Sequence, residues 1–235
     1  MHIGILKTDE VRPEWVGDFG EYPDMFVALL RQVDDSHSYT VWDVEQGELP
    51  GAVDAAEAYI ITGSKSSVYD DKPWIRALEG FVRQVHLARH KLVGICFGHQ
   101  LVAQALGGLV DKSPKGWGCG VQVYQVSDPA LLADGEGEAL QLLASHQDQV
   151  MLAPEGAQVV ARNDHCEIAG FRMGEHILTF QGHPEFIPDY SREIMTFRRE
   201  LIGVDRVEEG MASLASLEHQ GVRVARWMLD FMAAQ

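Results

Sequence analysis

The feature that most constrains this chain is a glycine-flanked cysteine between a short apolar run and an amphipathic helix. Residues 92–95 predict a buried strand, residues 97–106 predict a helix, and Cys96 lies between them in the pattern Gly-x-Cys-x-Gly. A nucleophile at such a sharp strand-to-helix turn has its side chain exposed above the sheet. The helix N-terminus favours a thiolate over a thiol and an oxyanion over a neutral carbonyl. The pattern therefore predicts a nucleophilic Cys96, the alternative being an inert buried thiol.

Predicted strands and helices alternate along the first half of the chain. Apolar runs predict strands at residues 3–6, 39–44, 58–62 and 92–95, and helical spacing predicts helices at residues 25–33, 74–88 and 97–106. This order is typical of an α/β fold with a mostly parallel central sheet flanked by helices. From residue 109 to 181 the pattern alternates, and residues 121–126 and the segments near Val159 and Ile177 predict added antiparallel strands. Helices resume at about residue 189 and continue to the end of the sequence.

Charge and cysteine content exclude several classes of function. The net charge of −16 repels phosphates and anionic lipids, which argues against nucleic acid and membrane partners. Three cysteines without Cys-x-x-Cys spacing form neither a disulfide framework nor a zinc site. With no signal segment or transmembrane stretch, the sequence predicts a cytoplasmic protein. Residues 164–167 contain side chains that can bind metals, but they form a single cluster without a second set of ligands. Neither a metal nor another cofactor is therefore expected.

A second motif supplies a base for the cysteine. His183 and Glu185 lie two residues apart on a segment predicted to be extended, so they point to the same side, and Pro184 favours that conformation. A carboxylate there fixes the imidazole tautomer and stabilises the imidazolium. The alternative for His183 alone is an ordinary buried histidine, since the chain has ten.

Together these motifs resemble the class I (triad) glutamine amidotransferases, in the GMP synthase-like stand-alone branch. The resemblance is carried by Gly-x-Cys-x-Gly-His-Gln at residues 94–100, Gly-His-Pro-Glu at 182–185 and Ser-His-x-Asp-x-Val at 145–150. It implies a flavodoxin-like domain at residues 1–190, with residues 191–235 as a C-terminal helical extension packed on it. It also implies hydrolysis of the glutamine side-chain amide to glutamate and ammonia.

The resemblance assigns roles to individual residues. It implies that Cys96 is the nucleophile, His183 the base and Glu185 the group that orients the base. The N–H groups of Gly63 and Phe97 would hold the oxyanion, a pairing that also suits the turn chemistry. The substrate's α-amino and α-carboxyl end would be held by the side chain of Gln100 and by the segment Ser145, His146, Gln147 and Asp148. Without the resemblance, that segment is a polar turn before a strand.

The loop after the third predicted strand does not decide which reaction the protein catalyses. Residues 62–70 lack the Gly-Gly-Pro type of oxyanion loop found in synthetase-linked relatives and are similar to the loop of γ-glutamyl peptidases. Lys65 in that loop would face a substrate carboxylate or lie in solvent. Three hypotheses follow: a glutamine amidohydrolase, a γ-glutamyl peptidase, or a silent homologue that binds a partner. No nucleotide-binding loop follows residue 189, so any ammonia acceptor is expected on a separate synthetase chain. A roomy pocket beyond the leaving nitrogen would favour the peptidase.

Overall fold

The computed structural model describes residues 1–234; strands and helices alternate up to residue 105, then come seven strands and finally four helices. The strands are β1 (His2–Lys7), β2 (Ser38–Asp43), β3 (Ala58–Ile61), β4 (Lys91–Ile95), β5 (Leu109–Lys112), β6 (Gly118–Val126), β7 (Ala139–His146), β8 (Asp148–Leu152), β9 (Gln158–Arg162), β10 (Gly170–Met173) and β11 (Ile177–Phe180). The helices are α1 (Pro13–Phe19), α2 (Tyr22–Leu30), α3 (Pro73–Leu87), α4 (Phe97–Ala105), α5 (Pro188–Phe197), α6 (Arg199–Ile202), α7 (Val204–Ser216) and α8 (Gly221–Ala233).

The central sheet has nine strands in the order β2-β1-β3-β4-β11-β10-β9-β6-β7. The first five pair in parallel, which is the strand order of the flavodoxin-like doubly wound fold. The remaining neighbours pair antiparallel, and β5 with β8 forms a separate two-stranded sheet. The predicted α/β class, with a mostly parallel sheet and added antiparallel strands, is therefore confirmed.

One strand differs from the sequence prediction. The segment at Ile177 was expected among the antiparallel additions, but β11 runs parallel to β4, with Ile177 opposite Leu92 and Phe180 opposite Ile95. All four residues of β11 are buried, as in a central strand covered by helices on both faces. The chain returns to the middle of the sheet after more than eighty residues, which local periodicity does not reveal.

Two apolar layers cover the sheet. One face packs against α3 and α4, with Leu78, Phe81 and Leu101 in its core. The other face packs against α2 and α8, and Met228 shares that core with Ile3. α5 and α7 lie over β6 and β7. No helix in residues 1–234 combines the length and apolar character that a bilayer crossing requires. Because β3, β4 and β11 run parallel, their carboxyl ends meet at one edge of the sheet.

Candidate active site

Cys96 forms the turn between β4 and α4 with a backbone conformation that side chains rarely adopt. Its φ is 52° and its ψ is −99°, a strained geometry of the kind found at functional sites. A Cβ on Gly94 would lie 2.7 Å from the carbonyl of Gly98, and one on Gly98 would lie 2.6 Å from the carbonyl of Ile61. Both glycines are required because strand and helix approach so closely. This packing fixes Cys96 at the start of the helix.

His183 and Glu185 follow β11, the strand beside β4, and so lie next to Cys96. The His183 Nδ1 is 2.7 Å from Oε1 of Glu185, and both side chains are buried. The backbone N–H of His183 donates to the carbonyl of Leu143 (2.8 Å), and Phe186 stacks on the imidazole at 3.9 Å between ring centroids. The imidazole is therefore held from three directions. The expected geometry of a base with its orienting carboxylate is present.

The electrostatics of this group favour a charged imidazole. Burial lowers the pKa of His183, but the negative charges of a Cys96 thiolate and of Glu185 outweigh it and raise that pKa to about 10. The oxygen Oε2 of Glu185 is buried without a hydrogen-bond partner among residues 1–234. The arrangement therefore suits a thiolate–imidazolium pair oriented by a carboxylate.

Gly63 faces this group from the end of β3. A Cβ on Gly63 would lie 2.8 Å from Cε1 of His183 and 3.7 Å from Cβ of Cys96. The hydroxyl of Thr8 lies 2.9 Å from the Gly63 carbonyl and 3.2 Å from that of Thr62, which fixes the orientation of the adjoining peptide planes. Within residues 1–234, the N–H groups of Gly63 and Phe97 have no hydrogen-bond acceptor. Two free donors thus flank Cys96, one from a strand-end loop and one from the helix start.

Gln100 and Asp148 are also brought together, through side-chain and backbone contacts. The Gln100 amide nitrogen donates to the Asp148 carbonyl (2.8 Å) and to the side chain of Gln181 (3.0 Å). Gln181 in turn donates to the sulfur of Cys96 (3.5 Å). The Asp148 carboxylate accepts a hydrogen bond from Ser67, in the loop after β3. Gln100 is therefore linked to the nucleophile through Gln181, a residue to which sequence reasoning gave no role.

The remaining predicted residues divide between the pocket and its surroundings. Ser145 lines the pocket together with Cys96 and His183. His146 and Gln147 do not line it: His146 points its Nδ1 to the Asp148 carbonyl (3.2 Å), and the Gln147 carbonyl accepts from Ser113 (3.0 Å). Burial lowers the pKa of His146 to about 3, so the ring is neutral. Only Ser145 of this segment has a side chain placed to meet a substrate in this conformation.

Sequence reasoning missed five residues of the pocket wall: Tyr22, Ser64, Phe186, Ile194 and Arg198. Tyr22 of α2 and Arg198, which follows α5, line the pocket of Cys96. Arg198 donates to the hydroxyl of Ser145 (3.1 Å). Neither belongs to a recognisable motif, and only the packing of α2 and α5 over the strand ends brings them to the site. Lys65 is largely exposed and forms an ion pair with the buried Asp9.

In residues 1–234, no three His, Cys, Asp or Glu side chains are arranged to hold a metal ion. In the stretch at residues 164–167, the sulfur of Cys166 is buried, and this burial raises its pKa to about 12.

Known proteins are similar to this chain in sequence and in fold. The class I glutamine amidotransferase family matches residues 28–201. A glutamine amidotransferase-like protein of Schizosaccharomyces pombe is 35% identical over 198 residues, 79% of each chain. γ-Glutamyl peptidase 2 of Arabidopsis thaliana is 32% identical over 75% of this chain and 71% of its own length. A glutamine-hydrolysing GMP synthase of Corynebacterium jeikeium is 32% identical over 83% of this chain, but over only 36% of that larger protein.

A solved structure extends the likeness to the whole fold. The glutamine amidotransferase of Methylobacillus flagellatus superposes with a TM-score of 0.77 over 99% of this chain and 96% of its own, at 20% identity. The sequence resemblance to the GMP synthase-like branch is thus matched by the relatives and by the architecture. The turn at Cys96 lies within the matched residues 28–201, as do His183 and Glu185. On these grounds the chain belongs to the class I glutamine amidotransferase family.

Proposed function

We propose that this protein is a cysteine hydrolase of γ-glutamyl amide bonds, with the side-chain amide of glutamine as its first candidate substrate. The observation that carries the proposal is the buried His183–Glu185 pair, 2.7 Å apart, beside a cysteine in a strained strand-to-helix turn. The raised pKa of His183 keeps the imidazole protonated at neutral pH, so it can stabilise a neighbouring thiolate and later supply a proton. A thiolate attacks without first losing a proton.

The proposed reaction has two stages. In the first, the Cys96 thiolate attacks the amide carbon, and the N–H groups of Gly63 and Phe97 hold the oxyanion. His183 protonates the departing nitrogen as the carbon–nitrogen bond breaks, leaving a γ-glutamyl thioester. In the second, water attacks the thioester with His183 as general base, which releases glutamate and restores the thiolate. Glu185 keeps the imidazole in one orientation throughout.

A second candidate substrate is a γ-glutamyl peptide, and one observation favours it. A cavity of about 350 Å³ adjoins the pocket of Cys96 and shares Tyr22, Lys65, Ile194 and Arg198 with it. Ammonia is similar in size to water, whose share of liquid volume is about 30 Å³, and leaves most of such a cavity unused. The likeness to a γ-glutamyl peptidase points the same way.

Substrate entry requires movement of the loop after β3. The pocket at Cys96 holds only about 20 Å³, less than one water molecule's share of the liquid. The bond from Ser67 to the Asp148 carboxylate ties this loop to the start of β8. We infer that an acceptor subunit, or the substrate itself, displaces this loop before the reaction.

The test is covalent labelling with a glutamine-like chloroketone, read by mass spectrometry of the intact protein. The wild type and the control Cys166→Ala, which removes a buried thiol, should each gain one adduct, and Cys96→Ala should gain none. The same samples are assayed for glutamate released from glutamine and from glutathione. The proposal is refuted if Cys96→Ala is labelled as fast as the wild type, or if the wild type is never labelled.

A further inference from the structure

The cavity beside the nucleophile's pocket is bounded by elements outside the recognised motifs. One wall is formed by Arg12 and by Trp15 of α1, and another by the residues that follow β1. A third wall is formed by Phe197 at the end of α5 and by Arg198 directly after it. We call it the α1–α5 chamber. Its volume of about 350 Å³ is roughly ten times that of an ammonia-sized molecule. It can therefore hold an amino acid or a dipeptide.

The chamber lies on the side where the leaving group departs. The proton for the departing nitrogen comes from His183, so the leaving group lies on the imidazole side of the scissile bond. Phe186 stacks on His183, and Tyr22 stacks on Phe186 in turn. Tyr22 and Arg198 line both the pocket and the chamber. A leaving group larger than ammonia thus extends past these residues into the chamber.

Among the basic side chains of this chamber, Arg198 is the one without a carboxylate partner in residues 1–234. The other basic groups on its wall are paired: Lys65 with Asp9 and Arg12 with Glu14. The acidic Glu10 is paired with Lys7. Arg198, by contrast, forms no ion pair with a carboxylate of residues 1–234, and its side chain donates instead to the hydroxyl of Ser145. Such a cation in a chain of net charge −16 leaves the chamber ready for an anionic group.

The neighbours of Arg198 hold it in place for such a group. Its Nη1 donates to the hydroxyl of Ser145 (3.1 Å), and its guanidinium lies 5.9 Å from the ring of Trp117. Elsewhere in the chamber, Trp15 and Phe197 meet edge to face at 5.8 Å between centroids. The chamber therefore combines one unpaired guanidinium with an aromatic wall. A guanidinium fork matches a carboxylate, and the aromatic wall suits an apolar side chain.

We propose that Arg198 binds the carboxylate of an amino-acid or peptide leaving group in the α1–α5 chamber. This inference rests on the proposed hydrolysis of γ-glutamyl amides and names the leaving group. The bond between the γ-carbonyl carbon and the leaving nitrogen breaks, His183 supplies the proton, and the amine departs as a free α-amino acid or peptide. Arg198 is thus a specificity-determining residue for substrates that carry this carboxylate.

The test compares two substrates that differ in one carboxylate, γ-glutamylalanine and γ-glutamylethylamide. A charge-assisted hydrogen bond is expected to give the wild type a kcat/KM about 10- to 100-fold higher for γ-glutamylalanine, mainly through KM. In Arg198→Ala and Arg198→Gln this ratio should fall towards one. Arg192→Ala removes an exposed arginine from α5, the helix that Arg198 follows, and should keep the ratio. Thermal melting of each variant confirms that it is folded.

The other possible outcomes show whether the proposed subsite or the proposed hydrolase itself is wrong. Hydrolysis of both substrates by the wild type without a preference would overturn the subsite and leave the hydrolase standing. An equal loss on both substrates in Arg198→Ala would also overturn it, because Arg198 would then serve the γ-glutamyl group or the fold. If the wild type releases glutamate from neither substrate and resists the chloroketone, the proposed hydrolase itself is refuted.

Discussion

Replacing Gly63 with alanine puts a methyl group where the imidazole of His183 lies. The added Cβ would be 2.8 Å from Cε1 of His183. Unstrained carbon–carbon contacts lie at about 3.5–4.0 Å. The ring must therefore withdraw by roughly 0.7–1.2 Å, or the loop must carry Gly63 away from the site.

The ring has little freedom to make that shift. Its Nδ1 is 2.7 Å from Glu185, and Phe186 stacks on it at 3.9 Å with planes only 9° apart. A displacement of about 1 Å in a catalytic group lowers rates by about 100-fold, which corresponds to about 2.7 kcal/mol in the barrier. We expect kcat/KM of Gly63→Ala to fall by about this factor.

The assay measures glutamate release and the rate of chloroketone labelling for Gly63→Ala beside Gly80→Ala. Gly80 lies in α3, and a Cβ there meets nothing within 4 Å. The control should keep full activity and gain about 0.5–1 kcal/mol of stability, because glycine weakens a helix interior. Activity of Gly63→Ala within threefold of the wild type would refute the steric argument.

Three further predictions follow from charges in the structure. Glu185→Gln keeps the shape of the side chain but removes a charge that raises the pKa of His183, so kcat/KM should fall roughly 100-fold; an unchanged rate would exclude Glu185 as the orienting group. In the wild type, kcat/KM should decline on the alkaline side near pH 10, as His183 loses the leaving-group proton. Burial lowers the pKa of His99 and His146 to about 3, so these two rings bind more protons in the unfolded chain, about one at pH 6.5 and about two near pH 5. They should make the free energy of unfolding fall by about 1 kcal/mol per pH unit at pH 6.5 and by about 3 kcal/mol per pH unit near pH 5, measured by urea denaturation, and a flat profile would contradict this.

Local patterns were sufficient to predict the turn at Cys96. A strand, a helix and two glycines within seven residues define that geometry, and their contacts are as close as the pattern requires. The His183–Glu185 pair was predictable for the same reason, because residues two apart on an extended segment point to one side. The division of the chain at residue 190 stays a prediction.

Other parts of the site depend on contacts between distant segments. Nothing near Ile177 shows that β11 enters the sheet beside β4, which is the step that brings His183 to Cys96. Likewise, Arg198 lies in an ordinary helical stretch, and its role depends on the packing of α5 over the strand ends. Local sequence cannot specify which segments meet, because that choice is made by burial of apolar surface over the whole chain.

The sequence by itself thus determined the fold class and the turn at Cys96, and it predicted a nucleophile there with His183 and Glu185 beside it. It did so because backbone conformation and side-chain direction are local properties of a short segment. Only the tertiary structure decided that Gly63 packs against the side chains of His183 and Cys96, and that a chamber lined by Arg198 adjoins the pocket. These features arise where separate elements pack together, and close packing, unlike periodicity, is a property of the whole core.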